Sequence, residues 1–135
     1  MALFVWDNSY SVKVQQCDND HKKLFSLIND LNDAMMTGKG AQIIQRVIRQ
    51  LADYTKYHFS AEEALLVRTK YAGLEMHRAQ HREFVSKVEQ FESDLKAGAI
   101  GQSVAVTAFL KDWLVNHIQQ TDRQYSTHLN ANGIS

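Results

Sequence analysis

The sequence predicts an all-α protein, an antiparallel up-down-up-down four-helix bundle with an extended N-terminal arm. Along four stretches, apolar residues recur at alternating steps of three and four, which is the spacing of one face of an α-helix. The 135 residues include no proline, so nothing forces a helix to break, and glycines separate the stretches. The links are short, and short links make consecutive helices run in opposite directions.

The elements follow from this pattern in chain order, within one domain spanning residues 1–135. In the N-terminal segment, Tyr10, Val12 and Val14 alternate with polar residues, but a single strand is not stable alone. Residues 1–17 are therefore predicted to form an arm laid on the bundle. The four helices are predicted at about residues 18–37, 41–66, 74–97 and 103–120, with turns at 37–40 and 97–101. A polar C-terminal tail or short helix is expected at 121–135.

Composition excludes several function classes. Lys plus Arg and Asp plus Glu each number 15, so the chain has no net charge to attract nucleic acid or an anionic membrane. No run approaches the roughly 20 apolar residues of a membrane span, and the apolar start is too short for a signal peptide. Cys17 is the only cysteine, which excludes an intrachain disulfide and favours a reducing, cytoplasmic setting. Free cysteine is usually buried, so Cys17 is predicted to be a small buried apolar residue; the alternative is an exposed thiol near a redox centre, because it lies one turn before His21.

Five of the six histidines occupy positions in the helical seams that otherwise hold apolar residues. A single buried histidine is usually satisfied by a polar neighbour. In an up-down-up-down bundle, however, the start of one helix lies beside the end of the next, so all five share one end of the molecule. Five inward imidazoles at one level lack enough neutral partners, and a metal would satisfy them together. They are His21, His58, His77, His81 and His117.

Two carboxylates are candidates to complete this set. Glu62 follows His58 by four residues and so shares its helix face, whereas Glu63 lies about 100° further round and is predicted to be solvated. Asp122 follows His117 by five residues, about 140° away on an ideal helix. Both can reach one site only if the backbone contains a π-type irregularity, which we predict there. The alternative is that Asp122 caps a following turn.

Five nitrogens and two carboxylates are too many ligands for one tetrahedral zinc. They suit two metal ions that share bridging carboxylates and need five or six ligands each. With three histidines at one ion and two at the other, the second ion has a position open to a small molecule. The sequence therefore predicts an asymmetric dinuclear centre.

Motifs typical of one protein family are spread over nearly the whole chain. They are Trp6-Asp7, Tyr10-Ser11-Val12, Asp18-Asn19-Asp20-His21, Leu24-Phe25, His58-Phe59-Ser60-Ala61-Glu62-Glu63, His77-Arg78-Ala79-Gln80-His81, and Trp113-Leu114 through His117 to Asp122. With these motifs the sequence resembles the hemerythrin family, specifically its single-domain bacterial members. The resemblance implies a non-haem centre of two iron ions, bridged by an oxo or hydroxo group and by Glu62 and Asp122, that binds dioxygen. It places His77, His81 and His117 on one iron, with His21 and His58 on the other, where dioxygen binds.

The resemblance also implies a dry oxygen pocket beside the metal. Its candidate residues, which would pack in the bundle core in any case, are Leu24, Phe59, Trp113, Leu114 and Ile118. Leu114 lies about one turn before His117, so we expect it to control access. His128 lies outside the pattern and is predicted to be at the surface. Departures from many relatives are Cys17 in place of an aliphatic residue, Leu66 in place of methionine and Ala72 in place of proline.

Three functions remain open from the sequence. The first is an oxygen store, carrier or delivery protein without turnover, which we expect to be a monomer and which could have an oxygen-accepting protein partner. The second is a di-iron oxidase or peroxidase, but such enzymes typically carry Glu-x-x-His motifs, and none of the six glutamates has this spacing. The third is an oxygen or nitric oxide sensor. The many histidines and few carboxylates favour the first.

Overall fold

Four long helices form the body of the computed structural model, which describes residues 5–38, 40–98 and 103–135, except for the side chains of residues 41 and 103–106. The helices are α1 (Gln15–Met36), α2 (Ala41–Arg68), α3 (Leu74–Lys96) and α4 (Ser103–Asn116). Helix α1 packs against α2 and α4, and α3 packs against α2 and α4. The predicted all-α four-helix bundle is confirmed, and the described residues contain no strand.

The core is a continuous apolar seam between the four helices. Every helix contributes side chains at the alternating spacing, and the larger ones are almost fully buried. Burying each of these Leu, Ile, Val or Phe side chains contributes about 1.5–3 kcal/mol. The seam includes Leu24, Ile28, Leu31, Ile48, Leu51, Phe84, Val88, Phe91, Leu95, Leu110 and Leu114.

Hydrogen bonds and residues with positive φ mark the ends of the first three helices. Helix α1 begins three residues before the predicted start, because Ser11 Oγ and the Val12 N–H donate to the carboxylate of Asp18 and close its first turn. Helix α2 ends where Lys70 adopts a left-handed φ of 57° and the Tyr71 N–H donates to the Leu66 carbonyl. Gly98, with a φ of 87°, follows α3. Residues 99–101 of the predicted turn, Lys39 of the preceding one and residues 1–4 of the arm lie outside the described residues.

After α4 the chain forms a π-helical turn (His117–Thr121), a 3₁₀ turn (Asp122–Tyr125) and the short helix α5 (Ser126–Ala131). This C-terminal segment packs against the N-terminal arm, which contains a 3₁₀ turn at Asn8–Tyr10. The Ser126 hydroxyl and the Asn130 amide donate to arm carbonyls. The two termini therefore cover the same end of the bundle. No helix among the described residues is long and apolar enough to cross a membrane.

Candidate metal centre

The five seam histidines and both predicted carboxylates lie together at one end of the bundle. Helix α1 supplies His21, α2 supplies His58 and Glu62, α3 supplies His77 and His81, and the segment after α4 supplies His117 and Asp122. Each of these side chains is at most 3% exposed. Their potential ligand atoms form two clusters that share Glu62, and within each cluster these atoms lie within 4.8 Å of one another.

The larger cluster gathers three imidazoles around one oxygen of each carboxylate. Glu62 Oε1 lies 2.7 Å from His77 Nε2 and 3.0 Å from His81 Nε2. Asp122 Oδ1 lies 2.9 Å from the Nε2 atoms of both His77 and His117. The Nε2 atoms of His81 and His117 are only 3.2 Å apart. Three nitrogens and two oxygens thus face one small volume.

The smaller cluster uses the other oxygen of each carboxylate. Glu62 Oε2 lies 3.3 Å from His58 Nε2 and 3.6 Å from His21 Nε2. Asp122 Oδ2 lies 3.2 Å from His21 Nε2. Each carboxylate therefore presents one oxygen to the three-histidine cluster and one to the two-histidine cluster. This is the arrangement that carboxylates need to bridge two metal ions.

The predicted backbone irregularity is present and explains how Asp122 reaches the centre. The N–H of Asp122 bonds to the carbonyl of His117, five residues earlier, as in a π-helix. The extra residue in this turn compensates for the angle that would separate the two side chains on an ideal helix. The capping alternative is wrong, because the Asp122 side chain is buried at the centre, 3.2 Å from His21.

The donor set fits metal ions. In the described part of the chain, the buried atoms without a hydrogen-bond partner include Nε2 of His21 and His58 and both side-chain oxygens of Asp122. All four face the centre, and leaving such groups unsatisfied costs about 1–3 kcal/mol each. Cations between these nitrogens and oxygens would satisfy them together. Imidazole with carboxylate is a ligand set that suits iron.

In the absence of a cation, protons on the imidazoles balance the buried carboxylates. Burial lowers the pKa of His58, but Glu62 and Asp20 outweigh it and raise the pKa to about 10. The pKa of His77 rises to about 10 in the same way, against burial, through Asp122 and Glu62. Burial raises the pKa of Glu62, yet the charge of His58, the polar contacts with His21 and His58 and the hydrogen bond with His77 hold it well below its usual range. Metal binding would displace these protons.

A second layer of polar side chains orients three of the imidazoles. Their Nδ1 atoms lie 2.9 Å from Asp20 for His58, 2.7 Å from Glu63 for His81 and 2.8 Å from the Gln80 amide oxygen for His117. These oxygens accept the Nδ1 proton, which leaves Nε2 free to bind a metal. The prediction that Glu63 is merely solvated is wrong, because its carboxylate is half-buried between His81 and Arg78.

Comparison with known proteins identifies the family. A family model described as the hemerythrin HHE cation binding domain matches residues 12–129. The chain belongs to the hemerythrin family. Bacteriohemerythrin of Methylococcus capsulatus is 33% identical over 132 residues, which cover 97% of this chain and 100% of that protein. Myohemerythrin-1 of Phascolopsis gouldii is 32% identical over 127 residues, covering 93% of this chain and 94% of that one. These relatives confirm the resemblance seen in the sequence.

A solved hemerythrin has the same fold. The crystal structure of a wild-type hemerythrin superposes with a TM-score of 0.89 at 32% identity, covering 95% of this chain and 98% of that one. The match therefore extends over nearly the whole length of both chains.

The predicted oxygen-pocket residues of this hemerythrin line the same end of the core. Leu24, Phe59, Leu114 and Ile118 are buried, and Trp113 is half-buried. Phe59 stacks on His81 with ring centroids 3.7 Å apart and planes 1° apart, and Trp113 stacks on His117 at 4.6 Å. Two histidines of the larger cluster thus have an apolar ring against one face.

Two contacts outside the predicted set hold the C-terminal segment against the bundle, and one of them reaches the candidate centre. Tyr125, fully buried, donates its hydroxyl to Glu62 Oε2 over 2.8 Å. His128 is half-buried rather than at the surface, because its Nε2 donates to the Thr69 carbonyl over 2.8 Å and its ring packs on Tyr71. Cys17 is buried and free, as predicted.

Proposed function

We propose that this hemerythrin binds dioxygen reversibly at a non-haem di-iron centre and serves as an oxygen store, carrier or delivery protein rather than an enzyme. One observation carries the proposal: two clusters of buried imidazole nitrogens share two carboxylates, and each carboxylate presents one oxygen to each cluster. Two ferrous ions held there would supply one electron each to bound dioxygen and would regain both electrons on its release.

The ligand assignment follows from the two clusters. His77, His81 and His117 would hold one iron, and His21 and His58 the other. Glu62 and Asp122 would bridge the ions, with an oxo or hydroxo group as a third bridge. Because the two-histidine iron has one protein ligand fewer, it would keep a position open for dioxygen.

The surrounding residues would protect that position. A reversible carrier must exclude water and protons, which promote irreversible oxidation of the iron. Burial of Leu24, Phe59, Leu114 and Ile118 at this end supports such a role, with half-buried Trp113 against His117. The high share of imidazole favours binding over substrate oxidation, since few anionic ligands are present to stabilise high-valent iron.

Leu114 is proposed to restrict access, and a matched pair of variants tests it. Leu114→Ala and Leu110→Ala each remove a fully buried leucine from α4. Each should lose about 2–5 kcal/mol of stability. Only Leu114→Ala, one turn from His117, should oxidise faster in air. Equal oxidation rates in the two variants would remove Leu114 from the proposal.

A monomeric state and a cytoplasmic location are parts of the proposal. The apolar helix seams, used within one bundle, support the first, and the single buried free thiol of Cys17 supports the second. Analytical ultracentrifugation of the iron-loaded protein tests the first. A sedimenting mass of twice the 15.4 kDa chain would contradict it.

The function itself is tested by an oxygen cycle. Protein reduced without oxygen is recorded in the visible region before air, after air and after oxygen is removed again. A band that appears and then vanishes over repeated cycles indicates a reversible carrier. A band that decays at once to a ferric spectrum, which oxygen removal does not reverse, would favour an oxidase, a peroxidase or a sensor instead.

A further inference from the structure

A chain of charged contacts connects solvent to the back of one candidate iron ligand. His81 Nδ1 lies 2.7 Å from Glu63 Oε2, and the other oxygen of Glu63 accepts from Arg78 Nε over 3.2 Å. Arg78 Nη1 in turn donates to Glu75 over 2.9 Å. Exposure of the side chains rises outward, from 2% for His81 through 24% and 34% to 79% for Glu75.

We propose that Glu63 and Arg78 act as an opposed charge pair that sets the reduction potential of the three-histidine iron through His81. Glu63 lowers the potential, and Arg78 limits how far it is lowered. Both are positioning residues, since neither approaches the centre itself. The inference rests on the proposed function, because it requires iron at His81 Nε2.

The sign follows from the chemistry of imidazole. A carboxylate that accepts the Nδ1 proton increases the electron donation of the ring through Nε2. Stronger donation stabilises ferric over ferrous iron and lowers the reduction potential. The positive charge of Arg78 partly offsets the negative charge of Glu63. Arg78 therefore reduces the extent to which Glu63 lowers the reduction potential.

The other imidazoles with a resolved Nδ1 partner are supported differently. His117 donates to the neutral amide oxygen of Gln80, which also accepts from the Thr121 hydroxyl. His58 donates to Asp20, whose second oxygen accepts from the neutral hydroxyl of Tyr54. His81 has a carboxylate partner that is itself paired with a cation. Removing the negative charge and removing the positive charge should therefore shift the reduction potential in opposite directions at this one candidate ligand.

The His81 ring is held independently of Glu63. The Phe59 ring stacks parallel to the His81 ring, with centroids 3.7 Å apart, and His81 Nε2 lies 3.0 Å from Glu62 Oε1. Glu63→Gln retains an oxygen that can accept from Nδ1 and differs mainly in charge. The variant therefore changes the electrostatics at His81 while the ring stays in place.

The test measures the midpoint potential of the di-iron site in Glu63→Gln and Arg78→Gln by mediated redox titration, with iron content and circular dichroism recorded for each. We expect a higher potential and slower oxidation in air for Glu63→Gln, and a lower potential and faster oxidation for Arg78→Gln. Glu75→Gln is the matched control. It removes the exposed partner of Arg78, and its potential should stay near that of the parent.

Shifts of the same sign in both variants, or no shift while iron content is unchanged, would overturn the inference. If oxygen binds reversibly but the midpoint potentials of the two variants equal that of the parent, only the inference about Glu63 and Arg78 is overturned, and the proposed function remains. A parent protein that binds no iron would overturn both. A purely structural role for the pair is excluded by opposite shifts, because loss of packing or of a hydrogen bond has no reason to change sign.

Discussion

Tyr125 donates its hydroxyl to Glu62 Oε2 over 2.8 Å, and both side chains are buried at the end of the bundle. Burial raises the pKa of Tyr125 well above 10, and the charges of Glu62 and Asp122 raise it further, so the hydroxyl remains a donor. The C-terminal segment thus contacts a carboxylate that faces both clusters. It is part of the centre rather than a loose tail.

Tyr125→Phe tests how much this contact stabilises the fold. The substitution keeps the ring but leaves Glu62 Oε2 without its donor, so the iron-free protein should lose about 1.5–3 kcal/mol of unfolding free energy. Urea unfolding measures it. Tyr57→Phe, at an exposed tyrosine on α2, should change stability by less than about 0.5 kcal/mol. Equal effects would show that the hydroxyl contact contributes nothing.

The ligand assignment predicts which variants lose iron. The iron content of His77→Ala and of Glu62→Ala should fall clearly below that of the parent, because His77 belongs to the larger cluster and Glu62 faces both clusters. His128→Ala should keep its iron, although loss of the bond to the Thr69 carbonyl should lower its stability by about 1 kcal/mol. Iron per chain is measured by elemental analysis after reconstitution. The same content in all three variants would refute the assignment.

The π-helical turn predicts different effects for a one-residue deletion and a one-residue insertion. Removing the exposed Gln120 leaves Asp122 four residues after His117, which is the same face of an α-helix, so this variant should still bind iron. Inserting one alanine after Gln120 places Asp122 six residues after His117, about 240° round an ideal helix, so iron binding should fall. Iron content after reconstitution compares the two variants. Full iron content in the insertion variant would mean that the register of this turn is not needed to place Asp122.

The iron-free protein should lose stability as the pH rises above neutrality. His58 and His77 have a pKa of about 10 in the folded chain, above the ordinary value near 6.5. Their protons therefore stabilise the fold fully below about pH 6.5, and this contribution is lost as the pH rises through about 10. Urea unfolding between these limits measures it, and His58→Gln should flatten the dependence. Stability that is constant or rises over this window would contradict the prediction.

Much of the site follows from helical periodicity alone. His58 and Glu62 are four residues apart, so they lie on the same face of the helix regardless of how the helices pack. The five-residue step from His117 to Asp122 predicted the π turn because an ideal helix cannot bring both inward. These features are local, or depend only on the up-down order of the helices.

The second layer could not be predicted because it depends on contacts between helices. Glu63 reaches His81 across 18 residues, Gln80 reaches His117 across 37, and Asp20 reaches His58 across 38. No spacing along one helix encodes these distances. Glu63 appeared solvated from its own helix alone, since the groups that bury it, His81 and Arg78, lie on α3. The adjacency of Asp20 and Glu63 to ligands was the only available signal.

The proposed centre is an asymmetric pair of iron ions that share two carboxylates. Mössbauer spectroscopy of protein reconstituted with ⁵⁷Fe and exposed to oxygen tests it most directly. We expect about two irons per chain, coupled to a diamagnetic ground state, with two distinct quadrupole doublets of equal area because the ions differ in histidine number. One iron per chain, or two ions with the magnetic spectrum of isolated ferric iron, would contradict it.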